Sequence, residues 1–128
     1  MRLLGIDYGR RKVGLAISEG KVAEPLYVIR YSDTKILEQK IKKIIESEKI
    51  EKVVVGISEG QMAEETKKFL NAIRYTLLPV PIDTFDETFS TQDAQRASIE
   101  AGIKRKKRKS MEDAYAAATM LQGYLDAV

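Results

Sequence analysis

The sequence from residue 53 to residue 57 reads Val53-Val54-Val55-Gly56-Ile57. An almost unbroken β-branched run of this kind is typical of a strand that is buried on both faces of a sheet. Apolar residues at helical spacing lie on both sides of it, in a segment that ends near Lys49 and in another from Met62 to Leu77. A strand with a helix before it and after it indicates a crossover unit, so we predict that this run is the centre of the sheet.

Three further strands are predicted upstream of this run. They extend from residue 2 to residue 8, from Val13 to Ser18 and from Leu26 to Tyr31, and Pro25 suits the start of the third strand. Only short turns with glycine and charged residues separate them. These strands are therefore expected to form an antiparallel meander.

The downstream sequence continues the alternation of helix and strand. Pro79 and Pro81 end the second helix, a strand follows from Val80 to Phe85, and helical segments follow from Thr91 to Ala101 and from Met111 to Leu125. Strands that are joined through helices are parallel. The predicted fold class is therefore α/β, with a mixed sheet in which three antiparallel strands are extended by parallel strands and helices cover both faces.

The composition limits the chemistry that this chain can perform. A length of 128 residues with 44% apolar residues suits one compact domain over residues 1–128. The absence of both Cys and His excludes disulfides, thiol catalysis, Ser-His-Asp triads and an imidazole base. The sequence has no apolar run of about 18 residues and no signal-peptide pattern, which predicts a cytoplasmic protein without a membrane partner.

Positive charge is concentrated in one segment of the chain. The hexamer Lys104-Arg105-Lys106-Lys107-Arg108-Lys109 supplies six of the 22 basic residues, and the rest of the chain has 16 basic against 19 acidic residues. A mildly acidic body with one basic run suits binding to a polyanion such as nucleic acid. A solvated loop without a partner is the alternative interpretation of the same run.

Acidic residues fall at the ends of three predicted elements. Asp7 ends the first strand, Asp86 and Glu87 follow the last strand, and Asp113 lies in the first turn of the final predicted helix. Ligands of open α/β sheets gather beyond the carboxyl ends of strands. Carboxylates brought together from separate elements are the ligands that Mg²⁺ or Mn²⁺ prefers.

Each of these acids also has a structural interpretation. Asp7 can shape a turn, the two acids after the last strand can be solvated loop residues, and Asp113 fits a capping pattern that begins at Ser110. Glu59, which follows the central strand, is a further candidate ligand. Sequence position alone leaves these alternatives open.

Four blocks of sequence occur in a fixed order along nearly the whole chain. They are Leu4-Gly5-Ile6-Asp7-Tyr8-Gly9 with Lys12-Val13-Gly14-Leu15-Ala16, then Val53-Val54-Val55-Gly56, then Asp86-Glu87-Thr88-Phe89-Ser90-Thr91, then Asp113-Ala114-Tyr115-Ala116-Ala117. Together they resemble the YqgF family, also called RuvX, of the RNase H-like superfamily. The resemblance implies a sheet ordered as in RNase H and a catalytic metal site built from Asp7, Glu87 and Asp113.

The resemblance implies two interpretations of the biology. One is a nuclease that trims the 5′ end of precursor 16S ribosomal RNA, and the other is a Holliday junction resolvase that acts on branched DNA. Phosphodiester hydrolysis with two Mg²⁺ or Mn²⁺ ions needs no histidine, in agreement with the composition. The residues expected to bind nucleic acid are basic or carry hydroxyls, and they are Arg10, Arg11, Lys12, Ser90, Thr91, Lys104, Arg105, Lys106, Lys107, Arg108 and Lys109.

Two positions depart from the pattern of the family. Thr88 stands where the family usually has an Arg, which removes a bidentate phosphate donor. Glu59 lies near the strand-end Glu of RuvC-like enzymes, so either Glu59 or Glu87 completes the metal site.

Other functional classes share some of these features. A nucleic-acid-binding module without catalysis would keep the basic run and lose metal affinity. A small actin-like ATPase shares the opening motif, but that class closes two domains around its nucleotide, and this chain is too short for two. The sequence leaves open whether the substrate is RNA or DNA and whether the protein is a monomer or a dimer.

Overall fold

The computed structural model describes residues 1–57, 61–86 and 105–127. The elements in these ranges are β1 (Arg2–Asp7), β2 (Lys12–Glu19), β3 (Val22–Arg30), α1 (Thr34–Ser47), β4 (Lys52–Ile57), α2 (Gln61–Thr76), β5 (Ile82–Asp86) and α3 (Arg105–Ala127). The helix predicted from Thr91 to Ala101 lies outside the described residues. So do Glu59, Glu87, Thr88, Ser90, Thr91 and Lys104.

The strands form one five-stranded sheet in the order β3-β2-β1-β4-β5. β1 is antiparallel to β2, β2 is antiparallel to β3, and β1, β4 and β5 are mutually parallel neighbours. This arrangement confirms the predicted mixed sheet. The run from Val53 to Ile57 is an inner strand, but the middle position belongs to β1, because the shorter apolar run from Leu3 to Ile6 is buried just as fully.

Large aliphatic side chains fill the face of the sheet that α1 and α2 cover. Leu4 and Ile6 of β1 pack there with Leu37 and Ile41 of α1 and with Ile73 of α2. All five side chains are fully buried. Burial of aliphatic side chains contributes about 1.5–3 kcal/mol each, so this layer supplies much of the stability of the fold.

Small residues lie at the closest contact points of the opposite face, where α3 crosses the sheet. Ala117 and Leu121 of α3 pack against Gly5, and a Cβ on Gly5 would lie 3.0 Å from the Cβ of Leu121. Gln122, near the end of α3, donates to the carbonyl of Lys21 at 2.8 Å. The helix therefore runs antiparallel to β1 and in close contact with it, and helices cover both faces as predicted.

Three predicted boundaries were wrong. β3 begins at Val22 rather than near Leu26, and Pro25 lies inside it, which is tolerated because β3 is an edge strand with a register irregularity at this point. β5 begins at Ile82 rather than Val80. α3 begins at Arg105 rather than Met111, so the basic run continues directly into the helix.

None of the helices in the described part of the chain is both long and apolar enough to cross a membrane.

Candidate functional site

Asp7 is the last residue of β1 and lies at the carboxyl end of the parallel strands. Side chains alternate along a strand, and Leu3 and Gly5 both contact α3, so the side chain of Asp7 projects on the α3 face. Its partner across the antiparallel ladder is Gly14 of β2. Asp7 is partly buried and takes part in polar or electrostatic interactions.

Asp113 of α3 lies directly against Gly14. A Cβ on Gly14 would overlap the carbonyl group of Asp113 and would come within 2.8 Å of the backbone nitrogen of Ala114. Only glycine permits this contact between helix and strand. Because Gly14 is also the ladder partner of Asp7, the structure brings the backbones of Asp7 and Asp113 to neighbouring positions at one edge of the sheet.

The capping interpretation of Asp113 was wrong. α3 begins at Arg105, so Ser110 and Asp113 lie inside the helix rather than at its first turn. A carboxylate in the interior of a helix satisfies none of the amide groups at the N-terminus. The position of Asp113 is therefore explained by its tertiary contacts.

Lys12 forms an ion pair with Asp113, with 3.0 Å between Nζ and Oδ2. The side chains are 43% and 30% exposed, so solvent reaches the pair. The amino group of Lys12 compensates the negative charge of this carboxylate. Two carboxylates from separate elements, partly buried and open to solvent on one side, are a donor set that fits Mg²⁺ or Mn²⁺.

The third predicted ligand, Glu87, and the alternative, Glu59, lie outside the described residues. Within residues 1–57, 61–86 and 105–127, no three acidic side chains come close enough to form a metal-binding group.

Those predicted nucleic-acid contacts that the structure describes fall at the same end of the sheet as Asp7. Arg10 and Arg11 lie in the β1–β2 turn, and residues 105–109 form the beginning of α3. At 1.5 Å per residue, Arg105 precedes Asp113 by about 12 Å along the helix axis.

The guanidinium Nε of Arg10 donates to both carboxylate oxygens of Glu65, at 2.7 and 3.0 Å. Glu65 raises the pKa of Arg10 further through this hydrogen bond and through its charge.

An aromatic pocket was missed by sequence reasoning. We call it the Tyr8 pocket, and it is a cavity of about 410 Å³ lined by Tyr8, Arg10, Tyr31, Ser32, Thr34, Glu38, Glu65, Lys68, Phe69 and Ala72. Its residues come from the β1–β2 turn, from the segment that follows β3, and from α1 and α2. The position of Tyr8 directly after Asp7 is the signal that could have pointed to it.

A second polar group lies on the α3 face, closer to the other end of the sheet. The Tyr124 hydroxyl donates to Asp83 at 2.8 Å, and the Lys52 amino group lies 3.6 Å from the same carboxylate. The backbone N–H of Thr84 and the Tyr124 hydroxyl both lower the pKa of Asp83 by stabilising its charged form. This group joins α3 to β4 and β5 and is separate from Asp7 and Asp113.

The sheet order and the crossing helix define an RNase H-like fold of the RuvC type. RuvC of Thermus thermophilus, solved in complex with a Holliday junction substrate, matches with a TM-score of 0.69 and 18% identity over 99% of this chain and 96% of that chain. The fowlpox virus resolvase, solved with substrate Holliday junction DNA, matches with a TM-score of 0.64 and 14% identity over 99% and 98%. At these identities the likeness shows the fold.

The sequence comparisons then identify the family. The model described as "RuvX: Holliday junction resolvase" matches residues 1–127. A protein of Halothermothrix orenii is 40% identical over 98% of this chain and 95% of its own length, and one of Acetivibrio thermocellus is 35% identical over 98% and 96%. Both relatives carry the name "Putative pre-16S rRNA nuclease". The chain belongs to the RuvX family, which confirms the resemblance and the prediction of a nuclease that hydrolyses phosphodiester bonds.

Proposed function

We propose that this chain is a single-domain, cytoplasmic, divalent-metal-dependent nuclease over residues 1–128 and that it processes the 5′ end of precursor 16S ribosomal RNA. The names of the relatives from Halothermothrix orenii and Acetivibrio thermocellus favour this substrate. A role in the cytoplasm agrees with a ribosomal RNA substrate.

The observation that carries the proposal is the contact between Asp113 and Gly14. It sets a mid-helix carboxylate beside the ladder partner of Asp7, in a position that no capping role explains. The backbones of α3 and β2 are in contact here, so a change in the distance between Asp7 and Asp113 would disrupt the packing of α3. Catalytic groups need this kind of rigid support.

Asp7, Asp113 and Glu87 would hold two Mg²⁺ or Mn²⁺ ions, with Glu59 as the alternative to Glu87. When bound, divalent cations lower the pKa of a coordinated water and stabilise the charge on the leaving oxygen. The chain has no histidine, so the acid–base chemistry would come from its carboxylates, its lysines or a metal-bound water.

The basic residues around this site would bind the phosphate backbone. Lys12 stands beside Asp113, where its charge can compensate that of a phosphate during the reaction. Arg10 and Arg11 in the β1–β2 turn and residues 104–109 would add salt-dependent contacts. Ser90 and Thr91 would contribute hydroxyl donors to the same backbone.

A cleavage assay with a set of acid variants tests this function. The substrate is precursor 16S RNA with its 5′ extension, assayed with Mg²⁺, with Mn²⁺ and with chelator. Asp7→Asn and Asp113→Asn should each lower the cleavage rate by more than about 100-fold, because losing even a residue that only orients a metal ligand costs about 10- to 100-fold. Glu87→Gln and Glu59→Gln, compared side by side, identify the third ligand.

Asp83→Asn is the matched control, because Asp83 is an acid on the same face that lies in the separate Lys52–Tyr124 group. It should cleave like the wild type. Full activity of Asp7→Asn, or cleavage that continues in chelator, would refute the proposed site.

Resolution of four-way DNA junctions is the second candidate function. The structural likeness to two junction resolvases and the description of the family favour it. Mapping the products of a four-way junction beside those of precursor RNA, with the same protein preparation, decides between the two. Symmetric cuts in the junction together with intact RNA would replace the ribosomal proposal.

A binding module without catalysis would give a different pattern. It would retain RNA affinity, cleave neither substrate and show no Mn²⁺ binding in a calorimetric titration. An active nuclease should bind Mn²⁺, and Asp7→Asn should weaken that binding.

A further inference from the structure

The Tyr8 pocket lies next to the candidate active site but on the other face of the sheet. Tyr8 directly follows Asp7, and its ring stacks on Phe69 of α2, with 4.3 Å between centroids and 16° between planes. Asp7 therefore faces α3 while Tyr8 faces α2, from adjacent positions at the end of β1. A chain that passes over this edge of the sheet can contact both sides.

The aromatic walls of the pocket are held in place. Phe69 is only 4% exposed and supports one face of the Tyr8 ring. The Tyr31 ring lies 6.4 Å from Tyr8 at an angle of 36°, and its hydroxyl donates to the carbonyl of Gly9. Burial raises the pKa of Tyr31, so this hydroxyl stays protonated and remains a donor. The walls are thus arranged before any ligand arrives.

The polar part of the lining has no net charge. Arg10 and Lys68 are cationic, and Glu38 and Glu65 are anionic. Arg10 is also engaged by Glu65 through both carboxylate oxygens. Because the two carboxylates offset the two cations, the lining has no net attraction for a phosphate. A neutral heterocycle with N–H groups would find acceptors in the carboxylates and donors in the hydroxyls of Ser32 and Thr34.

We propose that the Tyr8 pocket binds one unpaired nucleobase of the nucleic-acid strand whose backbone lies at Asp7. Unpaired bases bind by stacking on aromatic side chains and by hydrogen bonds along their edges, and the pocket offers both. Its volume of about 410 Å³ lies in the range of small-ligand pockets and exceeds what a single base needs. Both carboxylates favour a base that carries an amino group.

This inference rests on the proposed function, since it assumes that nucleic acid lies across the end of the sheet at which Asp7 stands. It adds a selection step that the metal site lacks. Carboxylates and metal ions contact phosphates and carry no base information, so a base pocket next to them would fix which nucleotide stands at the cleavage point. Single-stranded regions would then be preferred over uninterrupted duplex.

An abasic scan tests the pocket. The probe is a hairpin RNA with a single-stranded 5′ extension in which one nucleotide at a time is replaced by an abasic residue, with the equivalent DNA run in parallel. Affinity is measured by fluorescence anisotropy in chelator, so that no cleavage occurs. One position, or two adjacent ones, should lose affinity by about tenfold, which is within the range for one stacked base.

Variants of the lining connect that position to the pocket. Tyr8→Leu should bind the unmodified RNA about tenfold more weakly than the wild type does. Its affinity should no longer change when the abasic residue is introduced, while Tyr8→Phe should behave like the wild type. Ala72→Tyr fills the pocket from an exposed position on α2 and should have the effect of Tyr8→Leu without disturbing the core. Tyr75→Leu, at an 84% exposed tyrosine outside the pocket, is the matched control.

Three results would overturn the base-pocket assignment: no binding of either probe, a flat abasic profile in the wild type, or an unchanged profile in both Tyr8→Leu and Ala72→Tyr. A flat profile together with Tyr8-dependent binding of free guanosine monophosphate would assign the pocket to a free nucleotide instead. The scan is independent of cleavage. If the wild type shows a position-specific abasic profile but does not cleave RNA, the nuclease proposal is refuted and the base-pocket proposal stands. If the profile is flat but cleavage depends on Asp7, the base-pocket proposal is refuted and the nuclease proposal stands.

Discussion

The two faces of the sheet are built from side chains of different size, and they serve different purposes. The face under α1 and α2 contains large residues such as Leu4, Ile6 and Ile41. The face under α3 has glycine at the contact points with the helix, at Gly5 and Gly14. Aliphatic layers tolerate changes that conserve volume, whereas backbone contacts tolerate almost none. Stability therefore comes mainly from the face under α1 and α2, and the positions of the acids come from the face under α3.

The largest effect is expected from Gly14→Ala on the α3 face. The added methyl would overlap the carbonyl of Asp113, which belongs to a helix backbone and cannot rotate away. The free energy of unfolding should fall by about 3 kcal/mol or more. Mn²⁺ affinity and cleavage should fall with it, because Asp113 is displaced from Asp7. Urea unfolding and a Mn²⁺ titration measure both effects.

Gly123→Ala is the control for that substitution. Its Cβ would meet only the Phe85 ring, at 3.0 Å, and a side chain can adjust where a helix backbone cannot. Helix propensity also favours Ala over Gly by about 1 kcal/mol. If Gly14→Ala proved no more costly than Gly123→Ala, the backbone contact between Gly14 and Asp113 would not be the rigid feature that the α3 face requires.

A smaller effect is expected from Ile41→Val on the opposite face. Ile41 of α1 is fully buried, and deletion of one methyl group should cost about 0.5–1.5 kcal/mol. Mn²⁺ affinity of the folded protein should not change, because Ile41 packs on the face of the sheet opposite α3, which carries Asp113. Chemical denaturation and calorimetry would show this separation, and weakened metal binding in Ile41→Val would contradict it.

Lys12→Met should have little effect on stability and opposite effects on two ligands. The Lys12–Asp113 pair is open to solvent, so its loss should change the free energy of unfolding by less than about 1 kcal/mol. Removal of a unit charge beside Asp113 should raise Mn²⁺ affinity by roughly fivefold, which corresponds to the interaction of about 1 kcal/mol between unit charges about 4 Å apart in water. RNA affinity in chelator should fall. If both affinities fell, Lys12 would serve to hold Asp113 in place.

The smallest effect is expected for the pH dependence of Asp83→Asn. The hydrogen bonds from Thr84 and Tyr124 lower the pKa of Asp83, so the ionised carboxyl stabilises the fold above the ordinary Asp pKa of about 3.9. That contribution is lost as the pH falls through the lower pKa of the folded state. The stability difference between wild type and Asp83→Asn should thus be constant from pH 7 to about pH 5 and shrink below about pH 4.

The size of that pH effect should be small, because the Asp83 side chain is 48% exposed. Thermal unfolding at pH 7 and pH 3 measures it. A difference that grew on acidification would mean that the protonated form of Asp83 is the one the fold prefers.

Much of the fold could be predicted because it follows from local patterns. The run from Val53 to Ile57 is buried as its composition predicted, and the meander and the parallel crossovers follow from turn lengths and helical spacing. Asp7 was identified at the end of its strand for the same reason. The start of α3 was placed too late, because a basic first turn opposes the helix dipole. Lys and Arg are good helix formers, and that preference prevailed.

Patterns in the amino-acid sequence were enough to predict the order of strands and helices along the chain, the absence of histidine and cysteine chemistry, and the residues available to hold a metal ion. Which of those residues meet depends on tertiary packing, since the Lys12–Asp113 and Arg10–Glu65 pairs join residues far apart in the chain. The physical reason is that periodicity and turn propensity act between near neighbours. The contact of Asp113 with Gly14 and the walls of the Tyr8 pocket depend on how α3 and α2 pack across the sheet.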